Sequence, residues 1–321
     1  MENLLEIDDL YVEYKVGKST AKALNGVTFS MRKGEAMGLV GESGAGKTTT
    51  ALSILRLLPK HNSKIVSGDI AFEDTDILKA SEKKMMNLRG ESIAMIFQNP
   101  LTSLNPVFTV GEQIGMVLQN HKRMSRSEKK ERCCQMLEVV GINRERLNDY
   151  PNQFSGGMRQ RVGIASALAC DPKLIIADEP TTALDVTIQA QILELIKKLI
   201  KEFGSSLLMI THNLGIVGEL CDRVAVMYAG RIIECGTVRE VFKNPLHPYT
   251  KGLFDSIPRL TEERQPLNVI PGTVVNAQDL LPGCPFHPRC KYKMDICTVK
   301  NPEQISAGGE HWVACYCFSE R

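Results

Sequence analysis

One stretch of the chain can cradle a phosphate group. It reads Gly41-Glu42-Ser43-Gly44-Ala45-Gly46-Lys47-Thr48, which matches the full P-loop pattern. Glycines let the backbone curl until successive N–H groups point inward at phosphate oxygens, and the helix that follows adds the positive end of its dipole. A lysine at this place can contact the β- and γ-phosphates, and a threonine hydroxyl can bind Mg²⁺. We therefore expect Lys47 and Thr48 to take these roles, with the surrounding backbone as far as Thr49 close to the phosphates.

Two acidic residues follow an apolar run further along the chain. Asp178 and Glu179 come directly after residues 174–177, a run typical of a buried strand. A carboxylate at Asp178 can reach Mg²⁺ from the strand end, and one at Glu179 can polarise the water that attacks a phosphate. Taken alone, an Asp-Glu-Pro sequence more often marks a strand that ends in a turn. The P-loop in the same chain favours the magnesium and catalytic roles.

A second anion site is indicated by Ser155-Gly156-Gly157. Ser155 is a typical N-cap residue, and the two glycines leave N–H groups accessible at a helix start. In isolation the segment is most simply a plain helix cap. Two anion sites in one chain suggest that they share a nucleotide.

Short β-type runs that alternate with helical patterns must position these residues. Such alternation is typical of parallel strands joined by crossover helices, so the sequence predicts an α/β fold. In such sheets ligands bind just beyond the carboxyl ends of the strands, which is where the P-loop, Asp178 and His212 fall. A helix is predicted at 49–58. The predicted strands are 5–14, 27–31, 36–40, 93–97, 174–177, 207–210 and 224–228.

Composition and charge exclude several classes of protein. With 321 residues the chain is about twice a typical domain, and 43% hydrophobic with 24% charged residues is an ordinary globular composition. The net charge of +2 argues against a strongly basic nucleic-acid binder. The apolar runs are shorter than the roughly 18 to 20 residues that cross a bilayer, and no signal sequence is expected. Ten cysteines without a secretion signal indicate a reducing cytoplasm rather than a disulfide framework.

The distribution of proline indicates a domain boundary near Phe242. Nine of the 15 prolines and half of the ten cysteines lie from Lys243 onward. We expect a regular α/β domain at residues 1–242 and a loop-rich, cysteine-containing module at residues 243–321.

Four cysteines of this module, Cys284, Cys290, Cys297 and Cys315, can surround a metal centre. Bound metal would organise a segment that is too small to bury a large apolar core. Three ligands from one winding loop and a distant fourth suit an iron–sulfur cluster, whereas structural zinc sites usually begin with tighter cysteine pairs. An iron–sulfur cluster is favoured over zinc and over free thiols. Cys317 leaves the identity of the fourth ligand open.

The order of these motifs resembles the nucleotide-binding domain of ATP-binding cassette (ABC) transporters, over roughly residues 4–242. The resemblance implies that two such domains pair head to tail, with ATP between the P-loop of one and the Ser-Gly-Gly segment of the other. It also implies that Gln98 senses Mg²⁺ and the attacking water, that His212 contacts the γ-phosphate, and that Asp185 couples the two sites. The series is the P-loop, Gln98, Ser155-Gly156-Gly157, Asp178-Glu179, Ala183-Leu184-Asp185 and His212.

Adenine is expected to stack on an aromatic ring of the first strand region, because a ring face recognises a purine with little geometric demand. Tyr14 is the candidate by its position relative to the P-loop. Tyr11 is the alternative, and either residue is equally compatible with an outward-facing strand position.

Residues 98–106 and 154–160 are similar to the dipeptide and oligopeptide importer branch, which also includes nickel importers and in which the ATPase is a separate chain. Residues 244–250 resemble the opening of that branch's C-terminal extension. The resemblance implies a [4Fe-4S] cluster, because peptide-importer ATPases can hold one with four cysteines in this extension. The chain departs from the family pattern at Met158, where Gln is general, and at Thr182, where Ser is common.

The resemblance predicts an ATPase subunit at the cytoplasmic face of the membrane that drives import of dipeptides or oligopeptides. Expected partners are a second, related ATPase chain, two membrane permease subunits and an extracytoplasmic solute-binding protein, with no nucleic acid. Two alternatives remain: a nickel importer ATPase, and a non-transport ABC-type ATPase that acts on nucleic acid or ribosomes. ATPases of the last kind commonly carry two cassettes in one chain or a long coiled-coil insertion, and this sequence has neither.

Overall fold

The computed structural model describes residues 2–99, 103–182, 184–257 and 269–319. Residues 100–102 and Ala183, which belong to motif segments named above, lie outside the described residues. The chain forms two compact units, each assembled from separate segments. Unit 1 comprises Met1–Glu2, Arg32–Ala36 and Lys79–Ile210, and unit 2 comprises Asn3–Met31, Met37–Leu78 and Thr211–Arg321, in each case as far as they are described.

The two units contain the following elements. The strands are β1 (Asn3–Val16), β2 (Ser19–Arg32), β3 (Ala36–Val40), β4 (Ser63–Phe72), β5 (Thr75–Asp76), β6 (Ile93–Ile96), β7 (Leu174–Asp178), β8 (Ser206–Thr211), β9 (Arg223–Tyr228), β10 (Arg231–Thr237), β11 (Ile305–Gly308) and β12 (His311–Val313). The α-helices are α1 (Lys47–Ile54), α2 (Glu82–Glu91), α3 (Val110–His121), α4 (Arg126–Val139), α5 (Gly156–Leu168), α6 (Val186–Phe203), α7 (Leu214–Leu220), α8 (Val238–Lys243), α9 (Pro248–Asp255) and α10 (Tyr316–Ser319). Short 3₁₀ turns lie at Arg144–Asn148, Pro151–Gln153, His287–Arg289 and Asp295–Thr298. Among the described helices, none has the length and apolar character that a membrane crossing requires.

Unit 1 is built on three parallel strands. β7 lies between β6 and β8 and pairs in parallel with both. Every residue of β7 is buried, which explains why its first four residues are a continuous apolar run rather than an alternating one. Helix α6 presents an apolar stripe that ends in Ile196 and Leu199. It stops at Gly204, whose left-handed backbone is the usual helix terminator.

Unit 2 contains two groups of paired strands. The first has the order β2-β1-β4-β5, with β4 antiparallel to both of its neighbours. In the second, β3 pairs in parallel with β9, and β9 pairs in antiparallel fashion with β10. β12 lies on the other side of β10 and pairs with β11, again antiparallel. Strands from the end of the chain therefore continue the sheet that carries the P-loop strand β3.

An aromatic cluster of Tyr228, Tyr249 and Phe286 lies in the core of unit 2. The ring centroids of Tyr228 and Tyr249 are 4.7 Å apart, and those of Tyr228 and Phe286 are 5.3 Å apart. Both tyrosines are fully buried. The aromatic cluster fastens α9 and the cysteine-bearing segment to strand β9, since one ring comes from each.

The mixed α/β fold is confirmed, and each predicted strand falls on an observed one. The helix predicted after the P-loop forms at Lys47–Ile54, so it begins two residues earlier and ends four residues earlier than expected. Strands β4, β5, β10, β11 and β12 were not predicted.

Candidate nucleotide-binding site

The P-loop of unit 2 joins β3 to α1 through a backbone that only glycine can supply at two positions. Gly46 caps α1 with a φ of 105°, and a Cβ there would lie 2.8 Å from the Ala23 carbonyl oxygen. A Cβ at Gly41 would collide with the carbonyl oxygen of Met227. No side chain caps the start of α1. Helix α1 thus begins directly after the glycine-rich loop, and a helix N-terminus at such a place can bind phosphate.

Lys47 folds back onto its own loop. Its buried ammonium donates hydrogen bonds to the carbonyl oxygens of Gly41 at 2.7 Å and Glu42 at 3.0 Å. The Glu42 carbonyl also accepts the Ala45 N–H at 3.2 Å. Ser43, Gly44 and Thr48 are exposed, while Thr49 is half-buried. The loop is thus held by internal hydrogen bonds, while Ser43, Gly44 and Thr48 remain exposed to solvent.

Unit 1 places the two predicted carboxylates at the end of β7. Asp178 is buried as the last residue of that strand. Glu179 follows with a left-handed φ of 44°, a strained conformation that often occurs at functional sites. Its carboxylate accepts hydrogen bonds from the Gln98 amide at 3.0 Å and the Thr182 hydroxyl at 2.8 Å. Unit 1 therefore brings Gln98 and Glu179 together, and adds Thr182.

The Ser-Gly-Gly segment starts helix α5, as predicted from its cap residue. The Ser155 hydroxyl accepts the Met158 N–H at 3.4 Å, and Ser155 is exposed. Gly157 has no room for a side chain, because a Cβ would lie 2.6 Å from the Ile188 side chain. The Met158 sulfur accepts a hydrogen bond from Arg146 at 3.6 Å, so the departure from Gln has a local partner.

Four further candidates lie at exposed or half-buried positions. Asp185 caps helix α6 through a 3.0 Å hydrogen bond to the Ile188 N–H. His212 is exposed directly after β8. Tyr14 is half-buried on β1, opposite Ser63. Tyr11 lies against β2, since a Cβ at Gly26 would be 3.0 Å from its hydroxyl oxygen.

The cysteines of the C-terminal region line one small cavity of unit 2. Its volume is about 10 Å³, no more than about one water molecule occupies. Within the described part of the chain, no three His, Cys, Asp or Glu side chains are arranged to hold a metal ion. The lining cysteines are Cys284, Cys290, Cys297, Cys315 and Cys317.

The chemistry of these donors fits a thiolate-bound metal centre, whereas their arrangement does not form one. Burial raises the pKa of the Cys284 thiol to about 11 and that of the Cys315 thiol to about 12. At neutral pH both thiols therefore hold their protons unless a cation displaces them. The Cys317 thiol is directed to the Tyr292 carbonyl at 3.6 Å. The expected convergence of four cysteines on one metal is thus not seen among the described side chains.

A histidine without a complete set of partners lines the same cavity. His247 is buried, and its Nε2 has no hydrogen-bond partner among the described residues. Its Nδ1 accepts the Tyr249 N–H at 3.0 Å. Burial lowers the pKa of His247 to about 4, so the ring is neutral and its hydrogen belongs on Nε2. The cavity is therefore lined by an N–H donor as well as by thiols.

Sequence analysis missed several residues that hold these motifs in place. Thr182 was noted only as a departure from the family pattern, although its hydroxyl binds Glu179. Tyr249 lies in the segment 244–250 that resembles the importer extension, but no local pattern connects it to the P-loop, where its hydroxyl accepts the Glu42 N–H at 2.9 Å. Arg289, which pairs with Glu42 at 2.6 Å, carries no signal in the sequence because its partner is distant along the chain.

A P-loop, a buried strand-end Asp with a following Glu, and a Ser-Gly-Gly helix start, all on a mixed α/β fold, define an ATPase of the ABC class. Two family models match the chain. One, described as ABC transporter, covers residues 24–182, and one for the C-terminal region of oligopeptide/dipeptide transporters covers residues 233–297.

Curated relatives extend over the whole chain. It is 48% identical over 322 residues to the oligopeptide transport ATP-binding protein AppD of Bacillus subtilis, covering 100% of this chain and 98% of the relative. It is also 48% identical to the oligopeptide transport ATP-binding protein OppD of Salmonella typhimurium, covering 95% and 91%. The chain belongs to the ABC transporter ATP-binding proteins, in the oligopeptide and dipeptide transporter family.

Solved structures agree with this assignment. A dimeric structure of the ATP-binding cassette MJ0796, in a post-hydrolysis state with ADP and Pi, has a TM-score of 0.66 and 29% identity. It covers 73% of this chain and 99% of that one. The structure of cbiO1 from Clostridium perfringens, part of the ABC transporter complex cbiONQ, has a TM-score of 0.65, 31% identity and coverages of 76% and 92%. ATP and Mg²⁺ are the expected ligands of such a cassette.

Proposed function

We propose that this chain is the ATP-hydrolysing subunit of an importer that takes up dipeptides or oligopeptides through separate membrane subunits. The observation that carries the proposal is the match of residues 233–297 to the C-terminal region of oligopeptide/dipeptide transporters, on a chain that also has the cassette motifs. The subunit would act as a peripheral protein at the cytoplasmic face of the membrane. Its partners would be two permease subunits, a solute-binding protein outside the cytoplasm and a second ATPase chain.

In this proposal the P-loop binds the triphosphate and Lys47 contacts its β- and γ-phosphates. Thr48, Gln98 and Asp178 hold Mg²⁺, since hydroxyl, amide and carboxylate oxygens are its usual ligands. Glu179 is the base that orients and polarises the attacking water. The hydrogen bonds from Gln98 and Thr182 support this role, because they aim the carboxylate without neutralising it. His212 contacts the γ-phosphate.

The second anion site belongs to a partner's nucleotide. Ser155 and Asp185 are exposed on unit 1, and the backbone N–H groups of Gly156 and Gly157 begin a helix, which supports contact with the triphosphate of a second cassette. The adenine would stack on Tyr14. Tyr11 is the weaker candidate because its hydroxyl is packed against β2 at Gly26.

The region 243–321 would form a module distinct in role from the cassette at 1–242, with a metal centre as its organising element. Cys284, Cys290, Cys297 and Cys315 would hold a [4Fe-4S] cluster, with zinc as the alternative metal. Support comes from the donor set, since the thiols line one cavity. A bound cluster supplies crosslinking of the loops around it.

The catalytic assignment is tested by Glu179→Gln in the purified full chain. ATP binding should persist, because the P-loop is unchanged, while turnover should fall by at least about a hundredfold, as when a catalytic carboxylate is lost. Titration calorimetry with ATP and release of inorganic phosphate measure the two effects. Glu202→Gln, on an exposed position of α6, is the matched control. Undiminished phosphate release by Glu179→Gln would remove the assignment.

The transport assignment is tested by deletion of the gene followed by uptake of labelled di- and oligopeptides and of ⁶³Ni²⁺. Loss of peptide uptake alone supports the proposal. Loss of nickel uptake alone would make the chain a nickel importer ATPase. Co-purification with ribosomes or nucleic acid, with both uptakes intact, would place it among the non-transport ATPases.

The metal assignment is tested by elemental analysis and visible absorption of protein purified without oxygen. About four iron atoms per chain with broad visible absorption are expected for a [4Fe-4S] centre. Stoichiometric zinc without iron would select the alternative. Absence of both metals from protein that is folded and binds ATP would reject a resident metal centre.

A further inference from the structure

Glu42, the second residue of the P-loop, is gripped by two residues from the C-terminal region of unit 2. The Arg289 guanidinium binds both oxygens of its carboxylate, Nη1 to Oε2 at 2.6 Å and Nη2 to Oε1 at 3.1 Å. The Tyr249 hydroxyl accepts the Glu42 backbone N–H at 2.9 Å. A forked pair of this kind fixes orientation as well as distance.

The guanidinium is itself held rigidly. The Arg289 side chain is 5% exposed. Its Nε donates to the Pro271 carbonyl at 3.0 Å, and its Nη1 lies 3.3 Å from the Tyr228 hydroxyl. Because the planar group is anchored on several sides, it presents a fixed fork to the Glu42 carboxylate.

Tyr249 is equally fixed. It is fully buried in the aromatic cluster, with its ring centroid 4.7 Å from that of Tyr228 and 5.5 Å from that of Phe286. The hydroxyl therefore reaches the Glu42 N–H from a ring that cannot move without disturbing the core. Glu42 is thus positioned at both its side chain and its main chain by rigid groups.

The main chain of Glu42 is also hydrogen-bonded to the part of the loop that is proposed to bind phosphate. The Glu42 carbonyl accepts hydrogen bonds from the Ala45 N–H at 3.2 Å and the Lys47 ammonium at 3.0 Å. A shift of Glu42 would displace both. Since preorganised loops bind with less entropic cost, a fixed Glu42 favours nucleotide affinity.

We propose that Arg289 and Tyr249 are positioning residues for the P-loop, which act through Glu42 to hold it in the shape that receives a nucleoside triphosphate. This inference rests on the proposed role of the P-loop in ATP binding. Neither residue touches the nucleotide in this scheme. Their loss should weaken ATP binding and leave the rate of the chemical step largely unchanged, because Glu179 is held by other residues.

The test uses the purified full chain and four variants: Glu42→Gln, Arg289→Lys, their combination and Tyr249→Phe. Each substitution keeps side-chain volume close to the original, which protects folding. Arg239→Lys, at an exposed position of α8, is the matched control. ATP affinity is measured by calorimetry, KM and kcat by phosphate release, and folding by thermal denaturation.

We expect the Kd and KM for ATP to rise about tenfold in Arg289→Lys and in Glu42→Gln, the size of one lost charge-assisted contact, with kcat within about twofold. The combined variant should be no weaker than either single one, since both remove the same interaction. Tyr249→Phe should raise the Kd by a few-fold. Wild-type Kd values in folded variants, or fully additive losses, would overturn the inference. Wild-type protein that binds no ATP would instead overturn the proposed nucleotide site, and the inference with it.

Discussion

Glu179 and Glu42 are both carboxylates in fixed positions, but the residues that fix them come from very different distances along the chain. Glu179 is held within unit 1 by Thr182, three residues away, and by Gln98, 81 residues away. Glu42 is held within unit 2 by Arg289, which is 247 residues away. One of the two partners of Glu179 is thus a near neighbour along the chain, whereas the P-loop residue Glu42 is held from the C-terminal region.

This difference separates two kinds of failure. Damage to the neighbours of Glu179 should slow turnover at normal affinity for ATP. Damage to the supports of Glu42 should weaken affinity at a normal turnover rate. Substitutions at residues other than Glu179 and Glu42 can test whether loss of turnover and loss of affinity are separate effects.

The largest effect is expected at Glu234, which ties strand β10 to the start of α9. Its fully buried carboxylate accepts the N–H groups of Leu246 at 2.8 Å and His247 at 2.9 Å, and lies 2.8 Å from His311 Nε2. Glu234→Ala leaves these groups buried without their acceptor, so the free energy of unfolding should fall by about 3–5 kcal/mol. Urea denaturation measures the change.

The control for this prediction is Glu303→Ala, whose glutamate side chain is 81% exposed. That variant should change stability by less than about 0.5 kcal/mol. Equal stability of the two variants would show that the C-terminal region is not held through Glu234. It would also weaken the claim that this region supports the P-loop at Glu42.

A smaller effect is expected from the loop itself. Gly46 has a φ of 105° and no space for a Cβ, whereas Gly44 has a φ of 82° with open space around it. Gly46→Ala should raise the Kd for ATP about a hundredfold, equivalent to about 2.7 kcal/mol. Gly44→Ala introduces backbone strain without a steric clash, so its Kd for ATP should rise less. Calorimetry with ATP compares them, and similar losses in both variants would contradict the role given to crowding at Gly46.

The smallest effect is expected at Thr182. Thr182→Val keeps the shape of the side chain but removes the hydroxyl that binds Glu179 at 2.8 Å. We expect kcat to fall about tenfold with KM for ATP unchanged, because one charge-assisted hydrogen bond to Glu179, the proposed base, is lost. Thr182→Ser retains the hydroxyl and should keep most of the activity. A rise in KM instead of a fall in kcat would erase the distinction between the two carboxylates.

Local patterns were enough to find the motifs that we propose to bind phosphate and Mg²⁺. The P-loop, Asp178 and Ser155 are set by residues within one strand-turn-helix segment, so their positions in the fold follow from spacing. The strands that the sequence did not reveal have another origin. β4 contains Gly68 with a φ of 100°, and the run of β10 includes the buried Glu234. Both interrupt the apolar alternation that predicts strands.

The cysteine prediction also has a part that local spacing could support and a part that it could not. Spacing identified residues that line one cavity, because a short loop brings its own members together. The arrangement of their thiols depends on contacts made elsewhere, such as that between Cys317 and the Tyr292 carbonyl. The grip of Arg289 on Glu42 was likewise unpredictable, since nothing near either residue specifies so distant a partner.

The pairing of β12 with β10 has a practical consequence for anyone who shortens this chain. Glu234 and Cys235 of β10 lie opposite Val313 and Trp312, so the final strand covers an edge that would otherwise present a row of open amide and carbonyl groups. An uncovered strand edge is a template for joining other chains. A fragment that stops before His311 should therefore tend to aggregate through the uncovered edge of β10, even though it keeps all of its nucleotide-binding motifs.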